Sequence, residues 1–115
     1  MVQTLPMIKW VDICEVDAIA PNTGACALVE NQQVAIFRVG TEFLAISNYD
    51  PFSKAYVLSR GIVGDRNGIP KVASPIYKQN FNLLTGQCFD DETVSIPTFA
   101  VRVVEERVQV AVNEN

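Results

Sequence analysis

Two runs near the end of the chain, Phe99 to Val104 and Arg107 to Val112, alternate in character around the pair Glu105-Glu106. Successive side chains of a strand point to opposite faces, so a period of two specifies a half-buried strand and excludes an amphipathic helix. A two-residue connection then selects an antiparallel hairpin. The same reading extends upstream. Ile8 to Ile13 predicts a first strand, with Ile8, Trp10 and Asp12 on one face and Lys9, Val11 and Ile13 on the other. Pro21-Asn22-Thr23-Gly24 is a turn, followed by apolar runs from Ala25 to Val29 and from Gln33 to Arg38. Glu30-Asn31-Gln32 between them is hairpin-sized, and Val39-Gly40-Thr41 turns the chain into Glu42 to Ser47. Strands this closely spaced predict an antiparallel meander.

The middle of the chain is richer in loops. Asn48 to Lys54 carries Pro, Asp, Asn and Ser and reads as irregular. Asp65-Arg66-Asn67-Gly68 contains Asn-Gly, a strong hairpin signal. The one helix candidate, Asp17 to Ala20, is short and is stopped by Pro21. No repeat, linker or shift in composition divides the chain. The expectation is one all-β domain over residues 1–115, with an ordered core over about 7–112.

Bulk properties narrow the function classes. A chain of 115 residues has room for one core; folding at this size buries roughly 60–70% of the unfolded surface. Hydrophobic residues at 49% argue for a packed globule rather than a disordered chain. No apolar run approaches the ~20 residues of a membrane span, and Met1 to Pro6 lacks the pattern of a signal peptide. A formal charge of −4 without a basic run argues against nucleic acid or an anionic membrane as partner. Cys14, Cys26 and Cys88 are odd in number and widely spaced, which points to free thiols in a reducing cytoplasm.

Several catalytic classes fall away at once. The chain has no histidine, so Ser53, Ser59 and Ser74 have no imidazole to activate them. Asp90-Asp91-Glu92 reads as a solvated acidic loop rather than a pair of catalytic carboxylates. Gly61, Gly64 and Gly68 are turn glycines without the strand–helix frame of a phosphate loop. Lys54, Arg60, Lys71 and Lys78 are dispersed along the chain and form no basic run. Nothing in the cysteine spacing suggests a zinc site.

Residues 72–88 carry a more specific pattern. Ser74-Pro75-Ile76-Tyr77 is followed by Phe81 and by the turn Thr85-Gly86. This resembles the second cluster-binding loop of Rieske iron–sulfur domains, Cys-Pro-x-His-(Gly) followed by an aromatic strand and a Thr-Gly turn. Upstream, Asn48-Tyr49-Asp50-Pro51-Phe52 precedes Leu58-Ser59-Arg60-Gly61 and resembles the first loop. With Pro51 at the family proline, Asp50 stands at the cysteine and Phe52 at the histidine. Ile96 to Val103 resembles the closing strands. The resemblance implies an all-β, Rieske-like antiparallel sandwich or barrel of short strands with two degenerate cluster loops.

Within that family one branch is closer. Trp10-x-Asp12-Ile13-Cys14, Gln33 to Arg38, Ile46 to Phe52, Val57 to Gly61 and Val72 to Pro75 resemble the small subunit of bacterial cytoplasmic NADH-dependent nitrite reductase. That resemblance implies a cytoplasmic accessory role in reducing nitrite to ammonia, in nitrate assimilation or nitrite detoxification. It implies a large-subunit partner carrying siroheme, 4Fe-4S and FAD, and neither nucleic acid nor membrane as partner. The isolated chain is expected to have no activity, catalytic residue or cofactor of its own. An alternative on the same scaffold is a stand-alone, metal-free binding or regulatory module unrelated to nitrite.

A 2Fe–2S Rieske cluster needs two thiolates and two imidazoles. The degenerate positions Asp50, Phe52, Ser74 and Tyr77 supply none of them, and the available oxygens are hard donors for such a cluster. Phe52 and Tyr77 are bulky enough to take the volume of the two lost imidazoles, and they are expected to pack on each other. Tyr49, Pro51, Phe52, Pro75, Ile76 and Tyr77 concentrate apolar surface at the loop tips, a composition that suits a partner interface. Tyr49 and Ile76 are the expected leading contacts.

Overall fold

The computed structural model describes residues 8–113. The expectations that touch Met1 to Met7 lie outside the described residues. Among the described residues twelve strands form: β1 (Ile8–Glu15), β2 (Thr23–Val29), β3 (Gln32–Val39), β4 (Glu42–Ser47), β5 (Tyr49–Asp50), β6 (Ala55–Tyr56), β7 (Ile62–Arg66), β8 (Ile69–Ala73), β9 (Asn80–Asn82), β10 (Thr98–Phe99), β11 (Val101–Val104) and β12 (Arg107–Asn113). All their pairings are antiparallel. They make a three-stranded sheet β1-β12-β11, a four-stranded sheet β10-β4-β3-β2, a three-stranded sheet β7-β8-β9 and the small pair β5-β6.

A hydrophobic core lies on each face of the central sheet, and β3 shows why. Val34, Ala35, Ile36 and Phe37 are all buried, yet alternation sends them to different cores. Val34 and Ile36 join Ala45, Val108 and Val110 in the core beneath β12. Ala35 and Phe37 join Ile46, Leu58, Val72, Phe81, Leu83 and Cys88 in the core under β8 and β9. The three layers follow from one strand that has no polar face to offer water.

The turns are built by local chemistry. Glu30-Asn31 and Glu105-Glu106 connect their hairpins through two residues with positive φ (49° and 67°; 50° and 67°). Asn67-Gly68 does the same at 52° and 85°. This left-handed pair matches the twist of the flanking strands, which is why two-residue hairpins use it.

Some expectations shift in detail. The meander forms with β2 opening at Thr23 and with a connection of Glu30-Asn31 alone. β1 runs on to Glu15 through a bulge between Asp12 and Cys14, which carries both Ile13 and Cys14 onto the core. The helix candidate becomes a single 3-10 turn, Val16–Ala18. In the C-terminal hairpin Phe99 pairs with Ala45 of β4, and only Val101 onward pairs with β12. The chain changes sheet at Ala100. The loop expected over 48–54 contains the strand β5, which pairs with β6.

Across β1 and β12, Arg107 binds the Asp12 carboxylate, with Nη2 to Oδ2 at 2.5 Å. The guanidinium's hydrogen bond holds the Asp12 carboxyl below the usual carboxylate range. A depressed carboxyl stabilises the fold above its unfolded pKa, and this contribution is lost as pH falls through the folded pKa. An Asp12→Asn variant should therefore melt below wild type near neutrality and converge with it in acid. Thermal melts between pH 7 and pH 2 test this; a gap that stays constant with pH would refute it.

Candidate partner-docking site at the degenerate cluster loops

Both loops are built by the same local device. Asp50 opens the first, and its Oδ1 accepts the Phe52 N–H at 2.9 Å. Ser74 opens the second, and its Oγ accepts the Ile76 N–H at 3.3 Å. Side-chain oxygens that bond the backbone two residues on are the local turn-formers of Asp and Ser. Each loop then closes with a bond from the fifth residue to the first. Lys54 N donates to Asp50 O at 2.8 Å, and Lys78 N donates to Ser74 O at 3.1 Å. Both closing lysines have positive φ, 58° and 66°. The sequences Asp50-Pro51-Phe52-Ser53-Lys54 and Ser74-Pro75-Ile76-Tyr77-Lys78 are thus two copies of one turn.

A direct bond joins the two copies. Ser74 Oγ donates to Asp50 Oδ2 at 2.5 Å, and Ser53 Oγ donates to the same oxygen at 2.9 Å. Asp50 and Ser74 are both buried. The carboxylate has three donors around it, which satisfies the general requirement for a buried polar group. The two residues that the family resemblance sets at the cysteines therefore touch each other.

Behind the first loop, Asn48 is also buried. Its Oδ1 accepts the Ser59 N–H at 2.7 Å, and its Nδ2 donates to Gln33 Oε1 at 3.1 Å. The backbone N–H of Asn48 donates to Gln33 O and its carbonyl accepts from Leu58 N, so it pins the loop to β3 and to the segment after β6.

This donor set does not fit a 2Fe–2S cluster. Asp50 and Ser74 are hard oxygens already committed to each other, Phe52 has no donor atom, and Tyr77 is a phenol. Among the described residues no group of three or more His, Cys, Asp or Glu side chains could hold a metal ion.

Of the expected site residues, the structure joins the two loops through Asp50 and Ser74 but alters one contact. Phe52 does not pair with Tyr77. Its ring lies 6.1 Å from that of Phe81, tilted by 51°, and it packs on the inner core. Tyr77 turns outward and is 61% exposed. The position within the turn does not decide this, since Ile76, like Phe52, is a third residue and is exposed; Phe52 turns inward because Phe81 of β9 lies across from it. Pro51 and Pro75 are half-buried, and Ile76 is 45% exposed. Tyr49 is half-buried against Tyr56, with ring centroids 5.0 Å apart, and it is Tyr56, at 55%, that faces solvent.

The reading from sequence missed Tyr56, Lys54 and Lys78. Cross-strand pairing of β5 with β6 places Tyr56 opposite Tyr49, and the irregular reading of 48–54 hid that strand. The lysines were legible only as the repeated pattern of a polar residue, Pro, two more residues and Lys. The acidic loop also does more than face water: Asp90 Oδ2 accepts the Asn80 N–H at 2.7 Å and holds β9.

The family profile of the Rieske-like [2Fe-2S] domain matches residues 9–111. The nitrite reductase (NADH) small subunit of Escherichia coli strain K12 is 47% identical over 105 residues, 90% of this chain and 97% of that protein. The NMR structure of the E. coli protein NirD superposes with a TM-score of 0.85 at 46% identity, covering 91% of this chain and 97% of that one. The nitrite reductase [NAD(P)H] large subunit of Klebsiella oxytoca is 40% identical over 92% of this chain, a match that occupies only 11% of that protein.

Proposed function

We propose, for a chain that belongs to the Rieske-like [2Fe-2S] domain family and within it to the nitrite reductase (NADH) small subunits, that it works as a non-catalytic docking subunit. It is read as one domain of a cytoplasmic complex, and its partner is a large subunit holding the siroheme, 4Fe-4S and FAD chemistry that takes nitrite to ammonia. The carrying observation is the Asp50–Ser74 hydrogen bond of 2.5 Å between the two loops. A cluster would crosslink these loops through metal; here a buried bond takes that role and keeps their tips presented as one surface. The chain supplies shape rather than electrons.

The Klebsiella protein supports the partnership, because a segment similar to 92% of this chain is covalently part of a large subunit there. No helix of the described residues is long and apolar enough to cross a membrane.

Two measurements test the reading. A tagged chain recovered from cells grown on nitrite should bring down a large flavin- and siroheme-containing protein and NADH-dependent loss of nitrite. Elution alone and without activity would remove the nitrite assignment. At the loop tips, Ile76→Ala should weaken association with the large subunit by about 1–2 kcal/mol, and Tyr49→Ala should add to that loss through the Tyr49–Tyr56 pair. Unchanged affinity in a variant that still folds would move the interface to another face.

A further inference from the structure

We propose that the twin-loop end recognises an acidic protein surface with an apolar centre on the large subunit, and that Lys54 and Lys78 are the side chains that read it. The inference rests on the docking role argued above and gives that partner a chemistry.

Charge is divided unevenly in the chain. Residues 43–89 hold the cations Lys54, Arg60, Arg66, Lys71 and Lys78 against only Asp50 and Asp65. The remainder holds four cations and eleven acids. Asp50 is buried and faces the loop hydroxyls, so it does not offset the cations at the surface. The two joined loops, 50–54 and 74–78, therefore carry two exposed cations and no exposed acid.

Cations elsewhere are occupied. Arg107 binds Asp12, Lys9 binds Glu30, and Arg38 donates to the carbonyls of Val16 and Ile19. Arg102 lies over Trp10 and Arg66 over Phe89, and Lys71 donates to Asn80. Among the described residues, Lys54 and Arg60 side chains make no hydrogen bond or ion pair, and Lys78 reaches only the Pro75 carbonyl at 3.5 Å. Lys54 and Lys78 close the two joined loops, and the second of these carries the exposed Ile76 and Tyr77. An apolar, aromatic centre with a charged rim is the anatomy of a protein interface.

The backbone is a second, independent indication. Lys54 and Lys78 hold φ of 58° and 66°, a region that favours glycine and strains a side chain with a Cβ. Both copies of the turn nevertheless close on lysine. The turn-closing N–H bonds to Asp50 O and Ser74 O account for the φ but not for the side chain, and lysine at both equivalent positions points to a use for the ammonium groups outside the chain. An anionic lipid surface is the less suitable occupant, because the chain as a whole carries −4 and would be repelled by it.

The test is titration of the full chain into purified holo large subunit at low and high salt. Wild type should bind less tightly as salt rises. Lys54→Glu with Lys78→Glu should raise Kd about tenfold or more at low salt, and the gap should narrow as charge is screened. Lys54→Gly with Lys78→Gly should also weaken binding while melting no lower than wild type. Glu105→Lys in the β11–β12 turn should leave affinity unchanged. If wild type fails to bind the large subunit, the docking role itself falls. If it binds but salt and both lysine pairs have no effect, that role stands and this inference is overturned. Binding to phosphatidylserine vesicles that the Lys→Glu pair abolishes, with the large-subunit affinity unaltered, would also overturn it.

Discussion

Asp50→Ala should destabilise the protein by about 3–5 kcal/mol, the range for removing one partner of a buried, charge-assisted cluster. The alanine would leave the buried Ser74 hydroxyl, and the part-buried Ser53 hydroxyl and Phe52 N–H, without their shared acceptor. Ser74→Ala removes one donor and leaves two, so about 1–2 kcal/mol is expected. The two effects should not add. A double-mutant cycle by urea denaturation should return a coupling energy of roughly 1–3 kcal/mol, because the residues share one bond. A coupling near zero would mean that the loops are held by the surrounding core and that Asp50–Ser74 is incidental. The outcome bears on function as well, since this bond carries the account of how the loops keep their shape without metal.

Gly86→Ala is the second large effect, expected at about 2–4 kcal/mol from strain and collision together. Gly86 has φ of +81°, and an added Cβ would lie 2.0 Å from the Ile96 carbonyl oxygen. That oxygen cannot retreat cheaply. The Ile96 N–H donates to Gly86 O at 2.9 Å, and the Ile96 side chain is buried in the core that holds Phe81 and Leu83. Gly40 and Gly68 supply the control, with φ of +60° and +85° and nothing within 4 Å of an added Cβ. Alanine there should cost only the conformational part, about 1 kcal/mol. Equal costs at all three positions would show that the close approach at Gly86 is relieved by movement of the Ile96 segment.

Much of the scaffold was legible before the structure because it is periodic or punctuated. The alternation of Val101 to Val104 against Arg107 to Val112 states its own pairing, and Asn67-Gly68 states its own turn. Other features were hidden because they depend on neighbours distant in sequence. Phe99 reads as the start of the last hairpin, yet it pairs with Ala45, over fifty positions upstream in the chain. No local pattern announces where a chain changes sheet. The bulge between Asp12 and Cys14 likewise follows from fitting β1 to β12 and alters which residues face the core.

The site divides along the same line. The resemblance read from the sequence sets Asp50, Phe52, Ser74 and Tyr77 at the four cluster positions, a set without thiolate or imidazole, and ligand chemistry alone draws the consequence. The sequence by itself determined that apolar side chains gather at the loop tips. Only the tertiary structure decided which of those side chains turn inward. Phe52 reaches Phe81 whereas Tyr77 reaches solvent, because a side chain's burial depends on what lies across the loop and not on its own hydrophobicity. Only the tertiary structure, too, brought Asp50 to Ser74 and turned lysines 54 and 78 from dispersed charges into the matched ends of two joined turns. Contacts across 24 residues are decided by how the sheets pack, and no run of adjacent residues encodes that packing alone.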